Sequence, residues 1–394
     1  MNTPPKNIIL ISPFFFPEPI STGKFNTDMA IALKEKGHNV TVLCFHPFYP
    51  KWKTKISNKQ LDNITIIRGG KRNYYSSKTF VRRLILEISF SFFVLRKIFK
   101  YRKETAIIIP VFPPSLAFYC ILPFIKNDIK KVGMVHDLQE IYSQKKKSFL
   151  FRITKKMIHK IENKVYKSCD TLIFLSKEMK ETAQKMYQLT DTKLVVQYPF
   201  ATINYNQKEK TNDLEKILSS DIKHIIYSGA LGEKQNPKEL YEFFNYCSKK
   251  LPQIHFHFFS QGNVFEELKV KNSNLKIKFH DFVPKENLEE LYNRSFIQVI
   301  PQLPGTSKGS LPSKLPNVLA SKCNVLCITD KDSDLDKLFK KYKLNKVIST
   351  WNKELFFSSI NEFLLEENKD NSKHLEICET LFNRNSMIST ILEE

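Results

Sequence analysis

One stretch of the chain, residues 303–329, contains the residue types that hold a phosphate group. A loop of small residues at 305–310 is followed by a short helical pattern at 313–321 and by a strand pattern at 325–329. A loop that leads into a helix N-terminus presents backbone N–H groups to an anion. The pattern therefore predicts an anion site in the loop before the helix.

Lys314 occupies the first turn of this predicted helix. A cation there is opposed by the helix dipole, so its presence calls for another reason, and a bound phosphate would supply one. A surface lysine beside an ordinary loop is the alternative. The stretch alone does not decide between the two interpretations.

A second candidate is the pair His136 and Asp137, which directly follows an apolar strand pattern at residues 132–135. Ligands of open α/β sheets bind beyond the carboxyl ends of the strands. The pair is therefore predicted to belong to a functional site. The alternative is a histidine whose ring is satisfied by local hydrogen bonds.

The segments around these residues alternate between strand and helix patterns. Near the N-terminus, residues 8–12 and Asn39–Phe45 have strand patterns, and a helix pattern at 25–36 connects them. Gly23 and Lys24 are expected in the loop before that helix, where an anion can be held. The turn lacks the GxGxxG sequence, which excludes a dinucleotide fingerprint of the dehydrogenase type.

A polar stretch at residues 205–221 precedes a second half with the same alternation. Residues 224–227 have a strand pattern, a loop with two glycines follows at 228–232, and a helix pattern begins at Pro237. Proline is favoured at the first helical position. Strands that alternate with helices in this way predict a doubly wound parallel sheet.

The whole chain is thus predicted to be an α/β protein with two Rossmann-like domains. Their expected bounds are 1–198 and 199–375, and a C-terminal helix is expected at 376–394, with a return to the N-terminal domain as one option. Two such domains with anion-type loops in both suggest a cleft that binds a phosphorylated ligand.

The composition points to an anionic partner. Lys and Arg number 62 against 40 Asp and Glu, which gives a formal net charge of +22. Nucleic acid, an acidic membrane face and phosphorylated substrates are all compatible with this charge. No helix-turn-helix, zinc or RNP-like motif accompanies it, so nucleic-acid binding is only a remote alternative. Seven scattered cysteines favour a reducing compartment without a zinc site.

A helix pattern at residues 80–103 is rich in Phe and Leu and is basic at both ends. The basic residues include Arg82, Arg83, Arg96 and Lys97. Such a helix suits the interface of an anionic membrane. An ordinary buried helix with basic ends is the alternative, and both interpretations stay open.

An uncharged stretch at residues 106–125 is long enough to span a bilayer. It contains four prolines, and its first residues have the pattern of a central strand. Proline breaks a helix interior, so the expectation is a buried strand, a turn and a helix.

Five segments of the chain together resemble one known family. They read ILISPFFFPEPISTGKFNTDMAIALKEKGHNVTVL, VHDLQEIY, LIFLSKEMKE, IIYSGALGEKQNP and LPSKLPNVLASKCNV. In their order and spacing they resemble a GT-B-type glycosyltransferase of family 4. The nearest branch builds bacterial capsule, O-antigen and colanic-acid polysaccharides and includes fucosyl- and acetamido-fucosyl-transferases.

The resemblance implies a role for each matched position. The acceptor would bind the N-terminal domain, at Gly23, Lys24 and Asp137, and His136 would lie by the donor sugar near the leaving phosphate. The nucleotide-sugar would be held by Gly229, Ala230, Gly232, Lys234, Gln235, Pro312, Ser313, Lys314 and Asn317. Lys314, Lys234 and helix N–H groups would stabilise the leaving diphosphate without a metal.

Several positions depart from the family pattern. The two glutamates that the family commonly has, eight positions apart, are Gly309 and Asn317 here, and an Arg and a Lys are replaced by Ala230 and Gln235. The glycine that usually ends the helix is Lys322, which must adopt a positive φ or end the helix differently.

The resulting hypothesis is a retaining, metal-independent hexosyltransferase without a separate cofactor. It would move a sugar from a UDP- or GDP-linked donor to a glycan, expected on a polyprenyl diphosphate, in bacterial surface polysaccharide synthesis. The protein is expected in the cytoplasm, peripheral on the inner face of the cell membrane, with an anionic membrane surface as partner and no nucleic acid. An inactive GT-B scaffold and a GT-B nucleotide-sugar epimerase remain alternatives.

Overall fold

The structure is a computed structural model that describes residues 4–18, 20–49, 51–71, 75–76, 78–138, 149–202, 212–307, 311–366 and 370–393. The chain forms two compact units. The first comprises Met1–Tyr198 together with Arg384–Glu394, and the second comprises Pro199–Asn383. Gly309, Ser310 and the end of the VHDLQEIY segment lie outside the described residues.

The first unit is built on a seven-stranded parallel sheet with the order β3-β2-β1-β4-β5-β6-β7. Its strands are β1 (Asn7–Ile11), β2 (Asn39–Phe45), β3 (Ile64–Gly69), β4 (Ile107–Phe112), β5 (Lys130–Val135), β6 (Thr171–Phe174) and β7 (Lys193–Val196). The helices between them are α1 (Ser21–Glu35), α2 (Thr79–Tyr101), α3 (Leu116–Ile121), α4 (Phe149–Lys167) and α5 (Lys177–Tyr187).

The second unit has a six-stranded parallel sheet with the order β10-β9-β8-β11-β12-β13. Its strands are β8 (Lys223–Ser228), β9 (Ile254–Phe259), β10 (Ile277–His280), β11 (Ile297–Pro301), β12 (Val325–Ile328) and β13 (Lys346–Ile348). Its helices are α6 (Asn212–Ile217), α7 (Pro237–Lys250), α8 (Asn263–Lys271), α9 (Leu288–Asn293), α10 (Leu315–Ala320), α11 (Asp334–Tyr342), α12 (Lys353–Leu365) and α13 (Ser372–Leu381).

The last helix, α14 (Arg384–Leu392), belongs to the first unit. The Arg384 guanidinium lies 2.8 Å from the Glu35 carboxylate at the end of α1. Glu393 lies 3.2 Å from the Lys130 ammonium and 3.5 Å from that of Lys193. These contacts hold the C-terminal segment against α1, β5 and β7.

Apolar strand patterns account for the two sheets. Every residue of β4 is buried, as expected for a parallel strand that is covered on both faces. Residues 106–125 form a strand, a turn and the helix α3, which confirms the expectation from their prolines. Among the described residues, no helix is both long and apolar enough to cross a membrane.

Three edge strands escaped prediction, β3 and β7 in the first sheet and β13 in the second. In β3 only the first and last residues are fully buried, and Arg68 interrupts its apolar pattern. The four residues of β7 are exposed or half-buried. Edge strands face less of the core, so their sequence carries a weaker apolar signal than that of central strands.

Two helix boundaries differ from the prediction. Helix α1 begins at Ser21, so Gly23 and Lys24 lie in its first turn and not in the preceding loop. The Lys24 amide donates to the Ile20 carbonyl at 3.0 Å, and the Thr27 hydroxyl donates to the Gly23 carbonyl at 2.7 Å. An added Cβ at Gly23 would lie 3.0 Å from the Glu18 Cβ, which explains a glycine in a helical turn.

The second correction concerns α10, which is six residues long and begins at Leu315, so Ser313 precedes it and Lys314 is its N-cap. A proline in the first turn suits this start. Lys322 has φ +54° just beyond the helix, which confirms the first of the two options given for that position. Because α10 is short, the predicted anion site depends on Lys314 and the loops and not on a helix N-terminus.

Candidate active site

The loop after β8 begins with a conformation that favours glycine. Gly229 has φ +129°, and its amide donates to the Phe259 carbonyl at 3.0 Å. Beyond its own neighbours, the nearest atom to an added Cβ would be the Tyr227 hydroxyl at 3.9 Å. Space is therefore available at this position, and backbone conformation alone demands a residue without a side chain.

Tyr227 connects this loop to Lys314. Its hydroxyl donates to the Ala230 carbonyl at 2.6 Å, and its ring centroid lies 4.0 Å from the Lys314 Nζ. A lysine ammonium over an aromatic face is an attractive cation–π contact. Sequence reasoning treated Tyr227 only as a strand residue, because nothing in the one-dimensional pattern shows which side chain the ring contacts.

Lys314 is held at the carboxyl side of the second sheet. Its Nζ donates to the Val299 carbonyl at 2.8 Å and to the Ser228 carbonyl at 3.2 Å. Of the three N–H donors of an ammonium group, these carbonyls use two, and the Nζ also lies over the Tyr227 ring. Burial lowers the Lys314 pKa from 10.5 to about 7. A bound anion would therefore favour the protonated form.

Gln235 is used inside the loop. Its side-chain Oε1 accepts a hydrogen bond from the Gly232 backbone amide at 3.0 Å, and the Gln235 backbone amide donates to the Gly232 carbonyl at 3.0 Å. The Lys234 carbonyl accepts a hydrogen bond from the Leu303 amide at 2.7 Å. The loops after β8 and β11 are thereby joined at the edge of the sheet where ligands of α/β proteins bind.

The remaining residues predicted at the nucleotide site lie around α10. The Pro312 carbonyl accepts from the Leu315 amide at 3.1 Å, and Ser313 is exposed. Asn317 is buried, and its Oδ1 accepts from the Thr202 amide at 2.7 Å while its Nδ2 donates to the Thr202 hydroxyl at 3.2 Å. Asn317 therefore has a structural role within the second unit.

In the first unit, His136 follows β5 as predicted. Its amide donates to the Phe112 carbonyl at 2.9 Å, and its ring meets the Phe25 ring edge-on, with centroids 4.9 Å apart. Burial lowers the His136 pKa to about 4, and the neighbouring Asp137 raises it by less. The imidazole is therefore neutral at pH 7.

The Nε2 of His136 is buried and has no hydrogen-bond partner among the described residues. Buried polar atoms in folded proteins are nearly always paired, so an unpaired one suggests a place for a ligand group. Phe25, the residue after Gly23 and Lys24 in α1, is the ring that contacts this histidine.

Sequence reasoning missed Glu18. Its carboxylate accepts the Phe48 amide at 3.1 Å and also the Tyr49 amide. Burial raises the Glu18 pKa to about 7, although these two hydrogen bonds lower it. The carboxylate ties the loop after β1 to the loop after β2. The sequence feature that could have identified Glu18 is its place between two prolines in an apolar segment.

The residues predicted to contact a membrane have different surroundings. The Arg82 guanidinium lies 3.9 Å above the Trp52 ring, within an aromatic cluster that includes Phe48. Arg83 and Arg96 are exposed. Lys97 is half-buried.

Helix α2 also exposes a stripe of apolar side chains beside these cations. The stripe consists of Val81, Leu84, Ile88, Phe92 and Phe99, and Phe92 is 69% exposed. Their spacing of three, four and seven residues places them on one helix face. Large apolar side chains aligned and exposed in this way usually mark an interaction surface.

Comparison with known proteins identifies the class and then the family. Two Rossmann-like domains with parallel sheets define the GT-B fold, and solved GT-B structures match nearly the whole chain. The model for glycosyltransferase family 4 matches residues 22–203, and the model for glycosyl transferases group 1 matches residues 209–375. Together these two models cover most of the chain and indicate that it belongs to the GT-B glycosyltransferases.

Three solved structures illustrate the fold. Sucrose-phosphate synthase from Thermosynechococcus elongatus aligns with a TM-score of 0.73 and 12% identity over 98% of both chains. WaaG, a glycosyltransferase involved in lipopolysaccharide biosynthesis, aligns with a TM-score of 0.70 and 12% identity over 98% of this chain and 100% of that one. An E. coli trehalose-6-phosphate protein bound with UDP-2-fluoro glucose aligns with a TM-score of 0.70 and 10% identity over 99% of both chains. The comparison with curated proteins found no matching sequence.

Proposed function

We propose that the protein is a retaining glycosyltransferase that moves a sugar from a nucleotide-sugar to a glycan carried on a polyprenyl diphosphate. The acceptor and the role in bacterial surface polysaccharide synthesis extend the family resemblance. The observation that carries the proposal is Lys314, a buried amine of lowered pKa that two carbonyls and the Tyr227 ring hold beside the Gly229 loop.

The chemistry requires a cation at the leaving group. As the bond between the sugar C1 and the diphosphate oxygen breaks, its electron pair stays on the diphosphate, and the acceptor hydroxyl oxygen forms the new bond to C1. The acceptor proton passes to the leaving diphosphate. Negative charge that develops in a buried site is stabilised most by donors that are already in position, and the two strand carbonyls hold Lys314 in such a position.

The donor is proposed to be UDP- or GDP-linked. A UDP-sugar analogue is bound by one of the proteins with a similar fold, which supports the uridine donor. For His136 we propose a hydrogen bond from the neutral imidazole to a sugar hydroxyl, because its buried Nε2 lacks another partner. Neither role requires a metal or a separate cofactor.

A screen of donors tests the activity. The purified protein is incubated with UDP-, GDP-, ADP- and dTDP-sugars, and thermal shift and release of nucleoside diphosphate are measured for the wild type, Lys314→Met and the matched control Lys331→Met, which changes an exposed lysine. We expect one donor to stabilise the wild type and the control and to release its diphosphate with both, and Lys314→Met to release it at least about 100-fold more slowly.

Other outcomes of the screen identify the alternatives. An epimerised nucleotide-sugar formed without acceptor would indicate an epimerase instead. No binding of any donor would indicate an inactive scaffold, for which the internal hydrogen bonds of Gln235 and Asn317 are the favouring observation. Either result would overturn the glycosyltransferase proposal.

We also propose that the protein is peripheral on the anionic inner face of the cell membrane and that the α2 stripe contacts the lipid. Exposed apolar side chains beside Arg83 and Arg96 suit both the acyl boundary and the acidic headgroups. A polyprenyl-linked acceptor would be held in the same membrane.

Vesicle sedimentation tests the membrane contact. We expect the wild type to sediment with vesicles that contain phosphatidylglycerol at low salt, and not with pure phosphatidylcholine vesicles. Phe92→Glu should weaken this binding at least about tenfold, because burying a charge in the acyl region is costly. The control Leu275→Glu places the same charge at another exposed apolar residue, 91% exposed, and should bind like the wild type. Equal vesicle binding by Phe92→Glu and Leu275→Glu would refute the contact of α2 with the membrane.

A further inference from the structure

Four histidines line one face of the second sheet at its β10 edge. His224 lies on β8, His255 and His257 on β9, and His280 on β10. His224 is the register partner of His255, and residues two apart on a strand point to the same side. The opposite side of these strands, with Phe256 and Phe258, packs in the apolar core.

The imidazoles are close enough to share one ion. His224 Nδ1 lies 2.9 Å from His257 Nε2, and one ring nitrogen each of His224, His255 and His257 lies within 4.8 Å of the others. Nitrogens bound to a tetrahedral zinc ion at ~2.05 Å are roughly 3.3 Å apart. Small side-chain rotations would bring the three nitrogens to that separation.

We propose that His224, His255 and His257 form a binding site for a borderline transition-metal ion, Zn²⁺ or a close analogue. The ligand atoms are Nδ1 of His224, Nε2 of His257 and a ring nitrogen of His255. Imidazole ligands of this kind suit zinc, copper and nickel. The half-buried His255 leaves the fourth position to a water molecule.

Two outer hydrogen bonds already have the arrangement that metal-binding histidines require. His224 Nε2 is 3.0 Å from the Ser219 carbonyl, so this nitrogen carries the proton and Nδ1 presents its lone pair. His257 Nδ1 is 3.0 Å from His280 Nε2. Histidines that bind metals usually donate their other N–H to such a partner.

Metal binding requires one rearrangement of protons and no net release. Without metal, His257 donates from Nε2 to His224, and His280 donates from Nε2 to His257. With metal on its Nε2, His257 carries its proton on Nδ1 and donates to His280 Nε2, while the His280 proton moves to its own Nδ1.

Nearby lysines set a limit on the affinity. Lys278 lowers the pKa of all four histidines, and Lys276 lowers that of His255, although burial is the largest cause in each case. The same positive charges oppose a bound cation. The site is therefore expected to bind more weakly than a site closed by cysteine or carboxylate ligands.

His255 distinguishes a metal site from a purely structural ladder of hydrogen bonds between histidines. The ladder from Ser219 through His224 and His257 to His280 is complete without it, and His255 makes no hydrogen bond among the described residues. A metal ion gives His255 a function that the ladder does not. Its substitution also leaves the ladder intact, so the variant is expected to fold.

Cobalt binding to tag-free protein tests the proposal. Co²⁺ is titrated into the wild type, His255→Ala and the control His159→Ala, which changes a histidine of the first unit, and visible d–d absorption is recorded together with the thermal shift caused by Zn²⁺. We expect one equivalent to bind the wild type and the control. His255→Ala should bind at least about tenfold more weakly, since changes even to outer partners cost 10–100-fold, and should keep the melting temperature of the metal-free wild type.

Two results would overturn the metal site. The first is a wild type that shows neither the absorption nor a shift with Zn²⁺. The second is equal binding by His255→Ala and the wild type, because the metal would then be held elsewhere, for instance by a cysteine. His280→Gln is a further check, since it changes only an outer partner and should weaken binding less than His255→Ala.

Discussion

Replacing Lys314 by methionine should separate activity from stability. Methionine keeps an unbranched side chain of similar length and removes the charge, so the Tyr227 ring and the space beside it stay filled. The lost groups are the cation and the donors to the Ser228 and Val299 carbonyls. The variant should therefore lose diphosphate release and keep its fold.

The magnitude follows from the pKa of Lys314, which burial lowers from 10.5 to about 7. Each pKa unit is worth about 1.36 kcal/mol, so the charged form costs the folded state about 5 kcal/mol. Because the folded-state pKa lies below the unfolded one, the wild type gains stability as pH rises from 7 to 10.5. Lys314→Met lacks this gain.

At pH 7.5 the two effects of the substitution oppose each other. Removal of the buried charge stabilises the variant by most of the ~5 kcal/mol that the charge costs. The two carbonyls left without a donor destabilise it by about 1–3 kcal/mol each. The free energy of unfolding should consequently stay within a few kcal/mol of the wild type. The difference between the proteins should then change by about 3 kcal/mol from pH 7.5 to 9.5, in favour of the wild type.

The assay is urea unfolding of the wild type, Lys314→Met and Lys331→Met at pH 7.5, 8.5 and 9.5. Other titrating groups cancel in the difference between proteins, and the exposed Lys331 should produce no trend. A pH-independent difference for Lys314→Met would refute the buried, destabilised ammonium. Full diphosphate release by the same variant would refute the role of Lys314 at the leaving group, whatever the unfolding data show.

Three other side chains make measurable predictions. His136 has a folded-state pKa of about 4 against 6.5 when unfolded, so its full contribution to the free energy of unfolding is present above pH 6.5, and up to about 3 kcal/mol is lost towards pH 4. The urea midpoint of His136→Asn should therefore depend less steeply on pH in the acid range than that of the wild type. An unchanged pH dependence would contradict the buried neutral ring. Tyr227→Phe loses the hydrogen bond to Ala230 and should lower the stability measured by thermal unfolding by about 1 kcal/mol. It should also raise the KM for the donor. An unchanged KM would show that the loop does not contact the donor. Gly133→Ala would place a Cβ 2.6 Å from Leu172 and should lower the free energy of unfolding by about 1–3 kcal/mol, which a wild-type midpoint would disprove.

The sequence predicts the central part of each sheet because burial on both faces leaves a continuous apolar run. Residues 107–109 and 325–328 are such runs, and both lie in strands. The three missed strands, β3, β7 and β13, lie at sheet edges. The start of α1 at Ser21 precedes the first apolar residue of the helical spacing, so local spacing could not locate it.

The candidate site was predictable in its residue types and not in its contacts. Lys314 was identified from its place after a small-residue loop, but its partners, Val299 and Tyr227, lie 15 and 87 positions earlier in the chain. The histidine cluster shows the same limit. Only His255 and His257 are near each other in sequence, and the register of three strands brings His224 and His280 to them.

The departures from the family pattern acquire a physical meaning in the structure. Asn317 donates to and accepts from Thr202, which an amide can do and an ionised carboxylate cannot. Gln235 closes the turn that places Gly232. Both residues are therefore part of the local architecture. Lys314 is the cation whose surroundings are defined here, and for this reason its substitution, more than that of Asn317 or Gln235, decides whether the chain is an enzyme.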